Sequence, residues 1–423
     1  MAWWIWFLCW GSGYHFADVT VYDPEIHGLR EGVTILVDGE GRVEAVSREP
    51  IAADGSRVVV EGGQVLPHYA DFYGLIQERG LGLDKDLDPQ NQRHLAACFL
   101  NAGIYQVRDP MFPPEGLRPG LFDGLDVVAQ RGYIELPDGP SSAFSLVADP
   151  QKPAADFGAD LPDTGPATFW WSSAGTGKAV LWPEQASYLR DLIRLFRSRG
   201  QKVGAYIQDA KPAELAQAHL FGFDFYEGMP ADLTAEAVSA FPAVTWVPLA
   251  ALNDKRYCGD NLLVRLKEAA ALGLYDQETY QRASRQAKRV LRRLKDRCEV
   301  WQRRRHAALK PLRTWLERDG ALALGSASGH LFSFSGDLRS ELELLAELDA
   351  TQSQLLRATF ETTPALLGDA GPYLEVGRPA HFIVYERDGY WGLNLGAQVD
   401  WNFVMGETLV AGGRPVEVAP PGQ

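Results

Sequence analysis

The stretch VLPHYADFYGL, residues 65–75, carries an imidazole and a carboxylate at the end of an apolar run. His68 and Asp71 are close in sequence, and positions 73 and 75 would point to one side of a strand. Those two positions hold Tyr73 and Leu75. Further along, YEGM carries Glu227, and LGSASGH carries Ser326, Ser328 and His330. Carboxylate, imidazole and hydroxyl groups at strand ends are the types that acid–base and metal chemistry recruit. Their spacing matches no compact motif. The histidines at 15, 27, 68, 94, 219, 306, 330 and 381 form no HxH, HxxxH or HExxH pair. SSAGTGKAV (172–180) lacks the first glycine of a phosphate loop, and alanine follows Lys178 where a hydroxyl would meet magnesium. No GxSxG elbow is present, so Ser326, Ser328 and His330 read as polar caps of a loop. His219 in ELAQAHLFG reads as a helix-surface residue, and His381 as a strand residue of a small β domain.

The elements that must position these residues follow a pattern. Residues 17–65 alternate in short runs around Gly- and Asp-bearing turns, which predicts antiparallel strands. From residue 66, apolar runs alternate with helical stretches. AGIYQVRDP (102–110), GLDVVAQRGYIEL (124–136) and ATFWWSS (167–173) read as strands, and Leu189, Ile193 and Phe196 recur at helical spacing. QKVGAYIQ, FDFYEG, AVTWVPLA and GALALGSAS follow as further strands, separated by helices. About 250 residues of alternating strand and helix fit a parallel (β/α)8 barrel. After a helical stretch from residue 338, the chain returns to β-rich sequence. The expected layout is an α/β fold: a (β/α)8 TIM barrel over 67–376, and a small β-sandwich built from 1–66 and 377–423, with 1–16 an apolar arm.

Composition narrows the function classes. The chain has 423 residues, is 46% hydrophobic and carries a net charge of −14. That is an ordinary globular composition, and its acidity argues against nucleic acid as a partner. The four cysteines, 9, 98, 258 and 298, are scattered. No disulfide framework is indicated, and reduced thiols in a cytoplasmic compartment are expected. The opening MAWWIWFLCW is apolar over about ten residues, too short for a membrane span of about 20. Its alternative is an export signal or interfacial anchor.

The order of these segments resembles the amidohydrolase superfamily, in particular its imidazolonepropionase-like branch. The carriers are ADVTVYDP…GVTILVDGEGRVEAVS, VLPHYADFYGL, NAGIYQVRDP, GQKVGAYIQ…AELAQAHLFGFDFYEG, GALALGSAS and the C-terminal QLLRATFETTPALLG…GPYLEVGRPAHFIVYERD. The resemblance implies a metal-dependent hydrolase of C–N or related bonds, with one or two zinc-like divalent metals at the C-terminal mouth of the barrel. Such metals lower the pKa of a bound water and polarise a carbonyl.

Carried over one at a time, the implied ligand positions are substituted. The two strand-one histidines fall on Tyr73 and Leu75. The strand-four lysine falls on Trp170 or Trp171, and the strand-five histidine on Tyr206. The strand-six histidine falls on Gly228, beside Glu227. The strand-eight aspartate falls on Ala327. Leu, Gly and Ala cannot coordinate a divalent ion, Trp has no free lone pair, and Tyr is a poor zinc ligand. No cofactor is therefore expected. The reading is a catalytically inactive or metal-free relative that binds a small molecule or a protein partner. The alternative is an active hydrolase of amide-like or cyclic C–N bonds with relocated ligands, drawn from His68, Asp71, Glu227 and His330. Tyr73, Trp170, Trp171, Tyr206, Phe225, Tyr226 and Trp246 lie on expected barrel strands, and half of them should face inward.

Residues 282–313 are strongly basic within an acidic chain. Val290, Leu291, Leu294, Cys298 and Trp301 share one helical face, so the helix would dock on the barrel with its charges outward. It is a possible docking surface. No transmembrane span is expected, and a homo-oligomer is possible.

Overall fold

The computed structural model describes residues 13–415 except 53–54, 77–95, 97–98, 101, 111–123, 131, 137–144, 160, 162–164, 172–182, 209, 231–232, 258–261, 272–276, 328–337, 369–372, 386–400, 405–406 and 412–413. His94, Ser328 and His330 lie outside the described residues, as does the apolar opening segment.

The chain begins with β1 (Tyr14–Asp23), β2 (Gly28–Val37), β3 (Val43–Ser47), β4 (Val58–Glu61) and β5 (Gln64–Leu66). Then come β6 (Tyr69–Asp71), β7 (Ile104–Asp109), β8 (Asp126–Ala129), β9 (Tyr133–Glu135) and β10 (Ser145–Val147). Helix α1 (Ala154–Ala159) precedes β11 (Ala167–Trp170), α2 (Pro183–Ser198), β12 (Val203–Tyr206), α3 (Pro212–Ala218) and β13 (Phe225–Glu227). Next are α4 (Ala235–Ser239), β14 (Thr245–Val247), α5 (Ala250–Tyr257), α6 (Leu262–Ala271) and the long α7 (Gln277–Glu317). The chain continues through α8 (Arg339–Glu347), α9 (Gln352–Arg357), a π-helical turn (Ala358–Thr362) and α10 (Thr363–Leu367). It ends with β15 (Phe382–Tyr385), β16 (Trp401–Val404), β17 (Glu407–Ala411) and β18 (Arg414–Pro415).

Strands from both ends of the chain hydrogen-bond into one nine-stranded sheet, ordered β18-β17-β16-β15-β5-β1-β2-β3 with β4 beside β1. The link between the ends is the antiparallel pairing of β15 with β5, where Ile383 faces Leu66 and Val384 faces Val65. The alternating apolar residues of β1 and β2 supply its buried side: Phe16, Val19, Val21, Val33, Ile35 and Val37 pack with Phe382 and Val384. The sequence expectation of a sandwich becomes, among the described residues, this single continuous sheet.

The middle of the chain is a mixed α/β fold with parallel sheets. Six strands are ordered β10-β9-β11-β12-β13-β14, and three more β6-β7-β8. The segment after α7 lies between these sheets. Leu322 forms a parallel bridge to Trp246 of β14, and the Phe72 amide just past β6 donates to the Leu324 carbonyl at 2.9 Å. GLDVVAQRGYIEL, read as one strand, is two: β8 and β9 belong to different sheets. GALALGSAS contributes the isolated bridge rather than a full strand.

Strand periodicity sorts the apolar side chains into two layers. Tyr226, Trp246, Phe169 and Trp171 face the helices, packing with α2 residues Leu189, Ile193 and Phe196 and with Trp315 of α7. Phe72, Tyr73, Tyr133, Phe225, Val247 and Leu249 form a separate inner cluster, joined at its edge by Trp170 and Tyr206. Of the aromatics expected on strands, Trp171, Tyr226 and Trp246 fall in the first layer and Phe225, Trp170 and Tyr206 in or beside the second, together with Tyr73, which lies past the end of β6 rather than on it. Gly204 makes the inner layer possible. A Cβ there would stand 2.1 Å from the Phe225 ring, so only glycine lets that ring lie across β12.

Helix α7 docks as its apolar stripe requires. Val290 and Leu294 are buried, and the Trp301 indole donates to Asp254 at 2.9 Å. Cys298 is disulfide-bonded, which corrects the expectation of reduced thiols. The other three cysteines lie outside the described residues.

Candidate functional site

Parallel register lines up the carboxyl ends of the central strands. Trp170 pairs with Tyr206, Tyr206 with Glu227 and Glu227 with Val247. Residues paired in a parallel ladder project from the same face. Three of the positions singled out in the sequence therefore stand in one row. Tyr73 and Leu75 follow the end of β6, and Ala327 is tied to them through its amide, which donates to the Tyr73 carbonyl at 2.7 Å.

The centre of this row is an ion pair that sequence reasoning missed. Arg108, near the end of β7, is fully buried, and its Nη1 donates to Glu227 Oε2 at 2.8 Å. Nη1 also donates to the Phe72 carbonyl at 3.2 Å. Nη2 donates to Gln130 Oε1 and to Thr168 Oγ1, each at 2.8 Å, and Nε donates to Gln130 Oε1 at 3.1 Å. A guanidinium has five N–H donors, and these contacts use every one of its nitrogens. The Phe72 ring lies beneath the guanidinium, 4.6 Å from its carbon. On the other side, the Tyr133 hydroxyl donates to Glu227 Oε1 at 2.6 Å. Burial, and then the adjoining Glu227 carboxylate, push the Tyr133 phenol well above its usual pKa. Burial does the same to Tyr73, which hydrogen-bonds to Tyr133. Both phenols stay protonated and act as donors.

Above the ion pair the space is aromatic. The Tyr133 ring lies 4.7 Å from Tyr206 and 5.4 Å from Trp170, and Trp170 meets Tyr206 edge-on at 5.2 Å. The Trp170 indole N–H is buried and has no acceptor among the described residues.

Of the four candidate catalytic residues, the three that are described, His68, Asp71 and Glu227, have separate partners. Asp71 is buried at the end of β6, where it accepts from the Ser326 amide at 2.9 Å, from the Ser326 hydroxyl and from the Tyr73 amide at 3.1 Å. It clamps one strand end to the neighbouring segment. His68 precedes β6, at the end of the strand away from Asp71, and stacks against His381 at 4.4 Å and Tyr105 at 5.3 Å. Glu227 is engaged by Arg108 and Tyr133. His330 lies outside the described residues. His219 is not a surface residue as expected: its Nδ1 is 2.7 Å from the Tyr226 hydroxyl, and burial lowers its pKa.

A divalent metal does not fit the described residues. No group of three or more His, Cys, Asp or Glu side chains converges among them. The carboxylate in the row already neutralises a guanidinium at contact distance, so a dication there would face an uncompensated cation. Gly228 is itself committed. Its φ is +91°, and an added Cβ would meet Gln208 Oε1 at 2.9 Å. Gln208 in turn bonds the Met229 backbone on both sides, and Asn253.

Comparison with known proteins shows a fold-level likeness. No protein-family model matches the sequence, and no curated protein gives a match. Solved structures do. A Xaa-Pro dipeptidase with bound methionine in its active site is 13% identical, with a TM-score of 0.63 over 94% of this chain and 99% of that one. Ochratoxinase from A. niger is 12% identical, with a TM-score of 0.63 over 97% and 99%. Atrazine chlorohydrolase from Arthrobacter aurescens TC1, complexed with zinc, is 14% identical, with a TM-score of 0.56 over 96% and 97%. At such identities the likeness establishes the fold alone: a mixed α/β chain with parallel sheets, arranged as in amidohydrolase-superfamily structures.

Proposed function

We propose that this chain is a metal-free, catalytically inactive relative of the amidohydrolases that serves as a binding or scaffold protein. The observation that carries the reading is the Arg108–Glu227 pair, fully buried at 2.8 Å where the strand ends meet. A guanidinium with all its donors engaged supplies the positive charge that a metal would otherwise bring, and it cannot activate water. The Tyr133, Tyr206 and Trp170 rings fill the space above it. The unmatched Trp170 N–H favours a small-molecule ligand with a hydrogen-bond acceptor over a wholly closed interior.

The same reading takes the two parallel sheets as parts of a closed (β/α)8 barrel spanning 67–376, flanked by a β domain from 1–66 and 377–423. The hydrogen bonds from 322–327 to Trp246, Phe72 and Tyr73 support it. The order of sequence motifs supports an imidazolonepropionase-like branch. Among the described residues no helix is long and apolar enough to cross a membrane. The Cys298 disulfide favours a compartment in which disulfides persist, and so the exported alternative over the cytoplasm.

The test is the elemental content of protein purified without chelator or metal-affinity media, paired with thermal unfolding in added zinc and in chelator. Transition metal far below stoichiometry and an unmoved unfolding temperature are expected. Stoichiometric zinc, manganese or iron, with stabilisation that follows mass action, would support the second reading instead. In that reading the chain is an active hydrolase of amide-like or cyclic C–N bonds, with relocated ligands drawn from His68, Asp71, Glu227 and His330.

A further inference from the structure

Helices α9 and α10 are one continuous helix interrupted by the π-helical turn Ala358–Thr362. The Thr363 amide donates to the Ala358 carbonyl, five residues back, where an α-helix reaches back four. Such a turn carries one residue too many for α geometry and is frequent at functional sites. Backbone bonding alone does not fix its position, because the wide turn can sit one residue earlier or later with the same number of bonds. Each such step rotates the residues it passes by about 100° around the helix. The tertiary contacts of Glu361 and Thr363 therefore decide where it rests.

On one side, Glu361 reaches the β1–β2 hairpin. Its Oε1 accepts from the Tyr22 hydroxyl, and His27 Nδ1 lies 2.8 Å from the same oxygen. Tyr22 is buried, and its ring packs on Phe360 at 5.0 Å. The hairpin end is itself braced: Asp23 pairs with Arg30, and the Tyr373 hydroxyl donates to the Tyr22 carbonyl at 2.8 Å.

On the other side, Thr363 is fully buried, and its hydroxyl has two roles. It donates to the Ala358 carbonyl at 2.5 Å, inside the wide turn, and accepts from the Leu324 amide at 2.8 Å. The Leu324 carbonyl accepts from the Phe72 amide at 2.9 Å. The Phe72 carbonyl accepts from Arg108 Nη1 at 3.2 Å, and the same nitrogen holds Glu227. Contacts thus run without a gap from the hairpin to the ion pair: Tyr22 and His27 to Glu361, along the helix to Thr363, then through Leu324 and Phe72 to Arg108. These interior groups have no water to turn to, so a break at one link leaves an unmatched group that its neighbour must move to satisfy.

We propose that the π-turn is a conformational latch between the β1–β2 hairpin and the Arg108–Glu227 centre. With Glu361 held by Tyr22 and His27, the wide turn stays at 358–362, and Thr363 holds Leu324, Phe72 and Arg108 in line. With Glu361 released, the turn migrates by one residue, Thr363 rotates away from Leu324, and the backbone beneath the ion pair loosens. Two discrete positions of one turn supply the bistable element that coupling between distant sites requires. The coupling is reciprocal, so a change at the strand ends reaches the hairpin as well. The latch acts on this centre whether the strand ends serve binding or catalysis, so its failure is distinct from failure of the reading above.

The experiment is hydrogen–deuterium exchange of the full chain, read by mass spectrometry. Segments 69–73 and 322–326 lie on the path. Segment 203–206, strand β12 between β11 and β13, is the control. Tyr22→Phe/His27→Ala keeps the Tyr22 ring in place and removes both holds on Glu361. It should speed exchange in the two path segments by about tenfold or more and leave 203–206 unchanged. Thr363→Val should speed the same two segments and, by reciprocity, the hairpin amides of 20–30. Thr363→Ser, which keeps the hydroxyl, should do neither. In the Thr363→Val background, Tyr22→Phe/His27→Ala should add nothing further at 69–73. Path segments unmoved by Tyr22→Phe/His27→Ala would overturn the proposal. So would exchange that rises equally at 203–206, which is general destabilisation, or effects of the two sets of changes that simply add.

Discussion

Arg108 and Glu227 are separated by 119 positions in the chain and meet in the interior at 2.8 Å, both shielded completely from solvent. Withdrawing two ions from water costs several kcal/mol apiece, and attraction offsets it only when the remaining donors and acceptors are satisfied. Here Thr168, Gln130, Tyr133 and the Phe72 carbonyl complete that satisfaction.

Breaking the pair from one side leaves a buried charge. Glu227→Ala or Arg108→Ala should each destabilise the protein by about 3–5 kcal/mol. Replacing both, as Arg108→Met with Glu227→Leu, should cost far less than the sum of the single changes. Denaturant unfolding of the four proteins as a double-mutant cycle measures the coupling. Additive losses would show that the two side chains act independently.

Rebuilding the substituted positions should not create a metal site while the guanidinium remains. Tyr73→His/Leu75→His/Tyr206→His/Ala327→Asp should hold only sub-stoichiometric zinc. Each unit charge at about 4 Å contributes roughly 4 kcal/mol of repulsion at an effective dielectric of 20. Adding Arg108→Ala should raise zinc occupancy, read by elemental analysis. Equal occupancy with and without Arg108 would remove the guanidinium from the explanation.

Gly228→His should be destabilising whatever the metal. A side chain at a φ of +91° is strained by about 1–3 kcal/mol. Its Cβ would also press on Gln208 and loosen that residue's bonds to Met229 and Asn253. Thermal unfolding of Gly228→Ala measures the backbone strain and the Cβ contact together, without the imidazole.

Alkaline pH should unfold the protein through its buried phenols. Burial raises the pKa of Tyr73 and Tyr133 above the unfolded value of about 10. The folded state therefore holds these protons more tightly than the unfolded state. Their stabilisation is fully present below pH 10 and is lost progressively as pH rises above it. Ultraviolet phenolate absorbance should titrate in two stages, with the buried group appearing only as circular dichroism is lost. A single smooth ionisation without unfolding would contradict this.

Glu341 caps a helix from a distance. Buried on α8, it accepts from the Ala250 amide at 2.9 Å and the Ala251 amide at 2.7 Å, at the start of α5. Glu341→Ala leaves those donors unmatched and should cost about 1–3 kcal/mol. Glu341→Gln, which keeps an acceptor, should recover part of that loss in urea unfolding.

Local pattern was enough to read most of the elements. The alternation in ADVTVYDP marked β1, and Leu189, Ile193 and Phe196 marked α2, because strand and helix periods are properties of a few neighbouring residues. The same alternation divided Phe225 from Tyr226 and placed Trp170, Tyr206 and Glu227 on strand ends. The family resemblance implied metal ligands at the positions of Tyr73, Leu75, Gly228 and Ala327. What it could not show was what occupies their place. Within IYQVRD nothing distinguishes Arg108 from an arginine that faces solvent, and Tyr133 is hidden in a segment that splits between two sheets. Their roles arise when parallel register brings the ends of distant strands together. Desolvation then makes the match between one guanidinium and one carboxylate decisive, and that is a property of the enclosed space rather than of any stretch of chain.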